Sequence, residues 1–142
     1  MQVKDLMNPS VVTIEPTSSA ALAARLLSRH NVGVLPVCGE DRKLRGVVTD
    51  RDIVLRCVAA EEDPAQTLVR EIMTRGCATV SPQDDCRAAT QLMARQQVRR
   101  LPVVEGGKLV GIVSLADLAR SQRFDMEAAQ ALGEISENIV HR

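Results

Sequence analysis

Short apolar runs along the chain alternate with stretches in which apolar residues recur every three or four positions. Val11 to Ile14, ended by Glu15 and Pro16, reads as a strand. From Thr17 or Ser18, either of which can cap a helix, Leu22, Leu26 and Leu27 recur at helical spacing as far as His30–Gly33. Val34 to Cys38 is a second strand, Gly39 to Lys43 a polar hairpin loop, and Arg45 to Val48 a third strand. Thr49 or Asp50 then opens a helix through Ile53, Val54 and Val58. The same order returns with strands near Ala78–Val80, Leu101–Val104 and Leu109–Val113, and helices near Asp84–Gln96 and Leu115–Ser121. Gly106 and Gly107 make the second hairpin tighter.

The two passes are copies. A shift of 66 residues aligns Val3–Met7 with Val69–Met73, Thr13–Pro16 with Thr79–Pro82, and Val32–Val37 with Val98–Val103. Between residues 3 and 37, eleven positions are identical without a gap. One deletion in the next loop changes the shift to 65, after which Leu44–Thr49 matches Leu109–Ser114 and Asp52 matches Asp117. The pattern therefore predicts an α+β fold of tandem β-α-β-β-α repeats, each preceded by a short Val-x-x-hydrophobic-Met helix. Each unit alone buries little apolar surface, so pseudo-twofold packing of the copies is expected. The expected boundaries are repeat 1 at 1–60, a polar linker at 61–67, repeat 2 at 68–122 and a tail at 123–142. In the tail, Phe124, Ala128, Leu132, Ile135 and Ile139 form one stripe of a C-terminal amphipathic helix.

Composition narrows the function. Lys+Arg and Asp+Glu both total 18, so no net field draws the chain to duplex nucleic acid or an anionic membrane. The cations are 15 Arg and 3 Lys, which suits planar, bidentate contact with phosphate or carboxylate. Phe124 is the one aromatic residue, which argues against reading single strands by base stacking. No apolar run reaches the ~18 residues of a membrane span, and Met1–Ser10 lacks a signal peptide's apolar core; a cytoplasmic protein is expected. Cys38, Cys57, Cys77 and Cys86 lie 19, 20 and 9 residues apart, with no C-x-x-C and no histidine at ligand spacing. They read as small core residues rather than a zinc set or reactive thiols, and no metal site is expected.

The sharpest pattern is Gly46-Val-Val-Thr49-x-x-Asp52, echoed by Gly111-Ile-Val-Ser114-x-x-Asp117. A glycine weakens a strand unless another backbone or a ligand must approach there. The hydroxyl stands where strand gives way to helix, a place where free N–H groups can hold a phosphate, and the carboxylate three residues on can accept from a ribose diol. The competing reading is a capping box, in which the two side chains only satisfy the helix start. Ser81-x-x-Asp84 has the same spacing without a strand glycine.

The ordered double set of Met-x5-Thr-hydrophobic-x-Pro, hydrophobic-Pro-Val and Gly-hydrophobic-hydrophobic-Thr/Ser-x-x-Asp closely resembles the cystathionine-β-synthase-type (CBS) domain pair, or Bateman module, over residues 2–121. It looks like the small stand-alone bacterial members. The resemblance implies a non-catalytic regulatory module that binds AMP, ADP, ATP, NAD or S-adenosylmethionine in clefts between the repeats, commonly as a dimer, and signals to an effector protein. Carried over by position, Asp52 and Asp117 would hold ribose, and Thr49 and Ser114 would contact ribose or phosphate. Thr13, Ile14, Val34 and Pro36 would line one adenine pocket, and Thr79, Val80 and Pro102 the other. Arg100, aligned with Val34, is favoured over Arg99 as the phosphate contact because strand residues alternate faces. Two further classes stand beside this reading. One is an interaction or dimerisation module with vestigial clefts. The other is an enzyme, for which no nucleophile–base pair or phosphate-binding glycine loop is visible.

Overall fold

The computed structural model describes residues 1–120 and 125–140. The chain divides into two compact units, one made of residues 12–77, the other of residues 1–11 together with the chain from Ala78 onward. Each unit holds a two-stranded antiparallel sheet flanked by helices.

In the first unit, helix α1 (Ala20–His30) leads to strands β1 (Val34–Cys38) and β2 (Leu44–Thr49), then to helix α2 (Asp50–Ile53), which continues as a π-helical turn over Val54–Val58. Ser19 starts α1, its hydroxyl accepting the Leu22 N–H at 3.1 Å. The cap therefore falls one or two residues after Thr17 and Ser18, where the chain has already turned. Asn31, in the left-handed region at φ 51°, ends the helix. Val34 pairs with Thr49 and Pro36 with Val47. Leu35, Val37 and Val48 are fully buried against Ala20, Ala23 and Leu27 of α1. A short helix α3 (Val69–Ile72) completes the unit.

The second unit repeats this with α4 (Cys86–Gln96), β3 (Arg100–Glu105), β4 (Lys108–Ser114) and α5 (Leu115–Ala119). Asp85 caps α4, and Arg100 pairs with Ser114 as Val34 does with Thr49. Helix α6 (Asp125–Val140) packs on α4 and α5. Its buried positions are Ala131 and Ile135, while Leu132 is 41% exposed. Of the expected stripe, Ile135 is buried and Leu132 is not; its neighbour Ala131 is buried in its place. Phe124 and the side chains of Ala128 and Ile139 lie outside the described residues.

The first predicted strand of each copy contracts to a single parallel bridge, Ile14 with Val37 and Val80 with Val103. Ile14 donates to the Pro36 carbonyl and accepts from Cys38; Val80 does the same with Pro102 and Val104. Prolines stop the ladder in both directions. One more pair toward the N-terminus needs an N–H at residue 36 or 102, and one more toward the C-terminus needs an N–H at residue 16 or 82; all four are proline.

The packing units are offset from the sequence repeats by their leading segments. Thr74, from the start of the second repeat, exchanges backbone hydrogen bonds with Val47 on the free side of β2, at 2.8 and 3.0 Å. Val69 and Ile72 are buried in that unit's core. Reciprocally, Asn8 exchanges bonds with Ile112 on β4, at 2.8 and 3.0 Å, and Val3 is buried in the second unit. Each sheet edge is therefore satisfied by the leading segment of the other repeat, which removes an open edge from both.

Candidate functional site: two strand-to-helix corners

Both Gly-hydrophobic-hydrophobic-Thr/Ser-x-x-Asp motifs fold as capping boxes. The Thr49 Oγ1 accepts the Asp52 N–H at 3.0 Å, and the Asp52 Oδ2 accepts the Thr49 N–H at 3.0 Å. Ser114 and Asp117 make the same reciprocal pair at 3.0 and 3.0 Å. The competing capping reading is thus met in full by the geometry. The donors expected to hold a phosphate are partly used, and α5 is only five residues long. Each hydroxyl nevertheless keeps its own proton, which remains able to donate.

The strand glycines are explained by backbone. A Cβ on Gly46 would stand 2.4 Å from the Thr74 carbonyl oxygen, and one on Gly111 would stand 2.8 Å from the Met7 Sδ and 3.1 Å from the Asn8 carbonyl oxygen. The close approach is that of the exchanged leading segments.

The two carboxylates differ in what else they hold. Asp52 is 6% exposed. It accepts the Thr74 hydroxyl at 3.0 Å on Oδ1 and 3.2 Å on Oδ2. The Arg56 Nη1 stands 3.9 Å away and donates to the Ile72 and Met73 carbonyls at 3.1 and 3.0 Å. Asp52 and Arg56, one helical turn apart, therefore clasp residues 72–74. Neither Thr74 nor Arg56 was singled out in the sequence; the shared alignment of Met73-Thr74 with Met7-Asn8 was the available signal. Asp117 has a side chain 20% exposed, and its Oδ1 takes the Arg120 Nη2 at 2.7 Å. Arg120 is itself 75% exposed. Asn8, the counterpart of Thr74, instead turns its Oδ1 to the Ser10 N–H at 2.9 Å.

Beside Ser114 lies a cavity of about 500 Å³ lined by Arg99, Arg100, Ser114, Leu115, Ala116, Ala119, Ala129 and Leu132. Arg100 and Ser114 are thus brought together as expected. Arg99 joins them, against the alternation argument, because it lies in the bend before β3 rather than in the strand. Neither guanidinium makes an ion pair or a side-chain hydrogen bond among the described residues. Asp117 is tied to Ser114 but does not line this cavity.

The expected adenine walls divide between two faces. Val34 and Pro36 in one unit, and Arg100 and Pro102 in the other, share the strand face opposite Leu35 and Val37 or Leu101 and Val103. Ile14 and Val80 point the other way, into the cores, at 4% and 6% exposure. From there they offer a wall only through backbone. Thr13 and Thr79 are exposed beside them.

The four cysteines are free, and all but Cys77 are buried. Burial pushes the thiols of Cys38, Cys77 and Cys86 up from their ordinary value, which keeps them protonated and slow to react. Among the described residues, no group of three or more His, Cys, Asp or Glu side chains could hold a metal ion. No helix among them is long and apolar enough to cross a membrane.

Two small α+β units, each with a β-hairpin, a capped strand-to-helix corner and an exchanged leading segment, define a tandem-repeat domain pair. The CBS domain family model matches residues 3–58 and 69–123, and the chain belongs to that family. It is 44% identical over 139 residues to the CBS domain-containing protein YhcV of Bacillus subtilis, covering 98% of each chain. Among solved structures it resembles Hypoxic Response Protein I with two coordinated zinc ions, at TM-score 0.78 and 36% identity, over 84% of this chain and 98% of that one. It also resembles CBSX2 in complex with AMP, at TM-score 0.74 and 30% identity over 84% of this chain and 93% of that one. A fourth likeness is to the CBS domain pair of MJ0100 in complex with 5-methylthioadenosine and S-adenosyl-L-methionine, at TM-score 0.73 and 30% identity, over 84% and 94%.

Proposed function

We propose that this chain is a regulatory module, not an enzyme, that binds an adenosyl ligand of the AMP, ADP, ATP, NAD or S-adenosylmethionine class and passes its occupancy to an effector protein in the cytoplasm. The observation that carries the reading is the cavity at the Arg100–Ser114 corner. It offers two guanidinium groups that have no ion pair among the described residues, a hydroxyl, and walls of alanine and leucine. Its volume of about 500 Å³ lies in the range of small-molecule sites. The AMP and S-adenosylmethionine held by CBSX2 and MJ0100 support the ligand class. The matching positions Thr79, Val80 and Pro102 would complete the adenine side, and Asp117 the ribose side once Arg120 swings away.

A homodimer is part of this reading, supported by Val54, Leu55 and Val58, which expose 54%, 50% and 59% of their surface on one helical turn. The competing reading, an interaction module without ligand, is favoured by the capping boxes, which account for both motifs without one.

Thermal melting separates the two. A ligand that binds the native state alone stabilises it by about 2.7 kcal/mol at a hundredfold excess over Kd. Millimolar AMP, ADP, ATP, NAD or S-adenosylmethionine should therefore raise the midpoint by several degrees for at least one of the five. An unchanged midpoint across the set supports the interaction module. Light scattering on the same samples should give twice the 15.4 kDa chain mass, and a value of 15.4 kDa removes the dimer.

A further inference from the structure

We propose that helix α6 is a closing wall of the Arg100–Ser114 cavity, so that docking of the C-terminal tail and occupancy of the cavity favour each other. The proposal rests on the adenosyl-binding reading and gives that site a regulatory element outside both repeats. The CBS family model ends at residue 123, and α6 begins at Asp125.

The cavity draws its lining from two sources. Arg100, Ser114 and the α5 positions Ala116 and Ala119 come from the second repeat, whereas Ala129 and Leu132 come from α6. Leu132 keeps 41% of its surface exposed, although Ala131 and Ile135 on the same helix are buried. A leucine left open in a cavity wall gains when an apolar part of a ligand covers it. The first unit has the corresponding corner without a following helix, since no helix lies between Val58 and Val69. There Val54 and Leu55, aligned with Ala119 and Arg120, stand 54% and 50% exposed. The closing wall therefore belongs to one of the two copies.

Helix α6 is also lightly held. Of its described side chains only Ala131 and Ile135 are buried. Gly133 stands in the middle of the helix, where glycine costs helix stability, and a Cβ there would meet nothing within 4 Å. Packing does not require the glycine, so its effect is to make α6 easier to melt. A ligand that touches both Arg100 and Leu132 binds the docked state in preference to the undocked one. By linkage it then stabilises docking as much as docking stabilises it. Through α6 the state of the cavity reaches the outer surface of the unit.

Hydrogen exchange and isothermal titration with AMP test this on the full chain. AMP at about a hundredfold excess over Kd should slow amide exchange across residues 129–136 about tenfold or more. Gly133→Pro, which breaks α6 at an exposed position and disturbs no buried side chain, should weaken AMP about tenfold. Leu132→Ala, which trims the wall and keeps the helix, should weaken it about threefold to tenfold. Gly133→Ala should slow exchange in α6 before any ligand is added, by up to about fivefold, and should bind AMP at least as tightly as wild type. An AMP complex with exchange in α6 unchanged overturns the proposal, as does Gly133→Pro binding AMP as tightly as wild type. If none of the five adenosyl ligands shifts the wild-type melting point, the functional reading falls and this proposal falls with it.

Discussion

At Thr49 the aspartate three residues on is buried and fastened to Thr74, whereas at Ser114 the matching aspartate is partly exposed and fastened to a solvent-facing arginine. Both began from one duplicated unit, and both keep the same capping geometry to within 0.1 Å. The difference lies in neighbours that the motif does not contain. A shared motif therefore reports the shared architecture, and the surroundings of each copy are set by what the exchanged leading segment brings to it. At the first corner that segment brings a hydroxyl; at the second it brings an amide that turns away.

The strand glycines give the largest expected separation between the two units. Gly46→Ala drives a Cβ into the Thr74 carbonyl, which is backbone and pinned on both sides, and should cost about 3 kcal/mol. Gly111→Ala meets first the flexible end of Met7, which can move, and should cost about 1–2 kcal/mol. Denaturant melts of the two variants check the order. Equal losses would mean that the leading segments are held equally at both sheets.

A smaller effect is expected at the charged end of the cavity. Removing Arg99 and Arg100 together should weaken AMP about tenfold to a hundredfold and flatten its dependence on sodium chloride, because screening then has no cation to act on. Affinity measured between 50 mM and 500 mM salt, about a threefold change in screening length, reads this directly. A salt slope unchanged from wild type would remove both arginines from the phosphate.

Much of the fold was legible because the pattern occurs twice along the chain. Eleven identities at one shift showed the duplication, and the period of Leu22, Leu26 and Leu27 placed α1. Strands β1 to β4 followed from β-branched runs ended by polar hairpins. The first strand of each copy misled, since the β-branched residues that suggested it are outvoted by prolines on both sides of a single bridge. The exchange of leading segments was hidden, because Val3 and Val69 announce a buried helix but not which sheet it is buried against. The tail stripe held at Ile135 and missed at Leu132, where the neighbouring Ala131 is the buried residue. At the site, the hydroxyls and aspartates could be read from spacing, and their unequal partners could not. Their unequal surroundings depend on Thr74, which lies 22 residues from Asp52.

A crystal structure of the full chain grown with saturating AMP bears most directly on the account. It should hold a nucleotide with its phosphate between Arg99 and Arg100 and its ribose at Ser114 and Asp117. A structure in which the cavity at Arg99, Arg100 and Ser114 stays empty would contradict it.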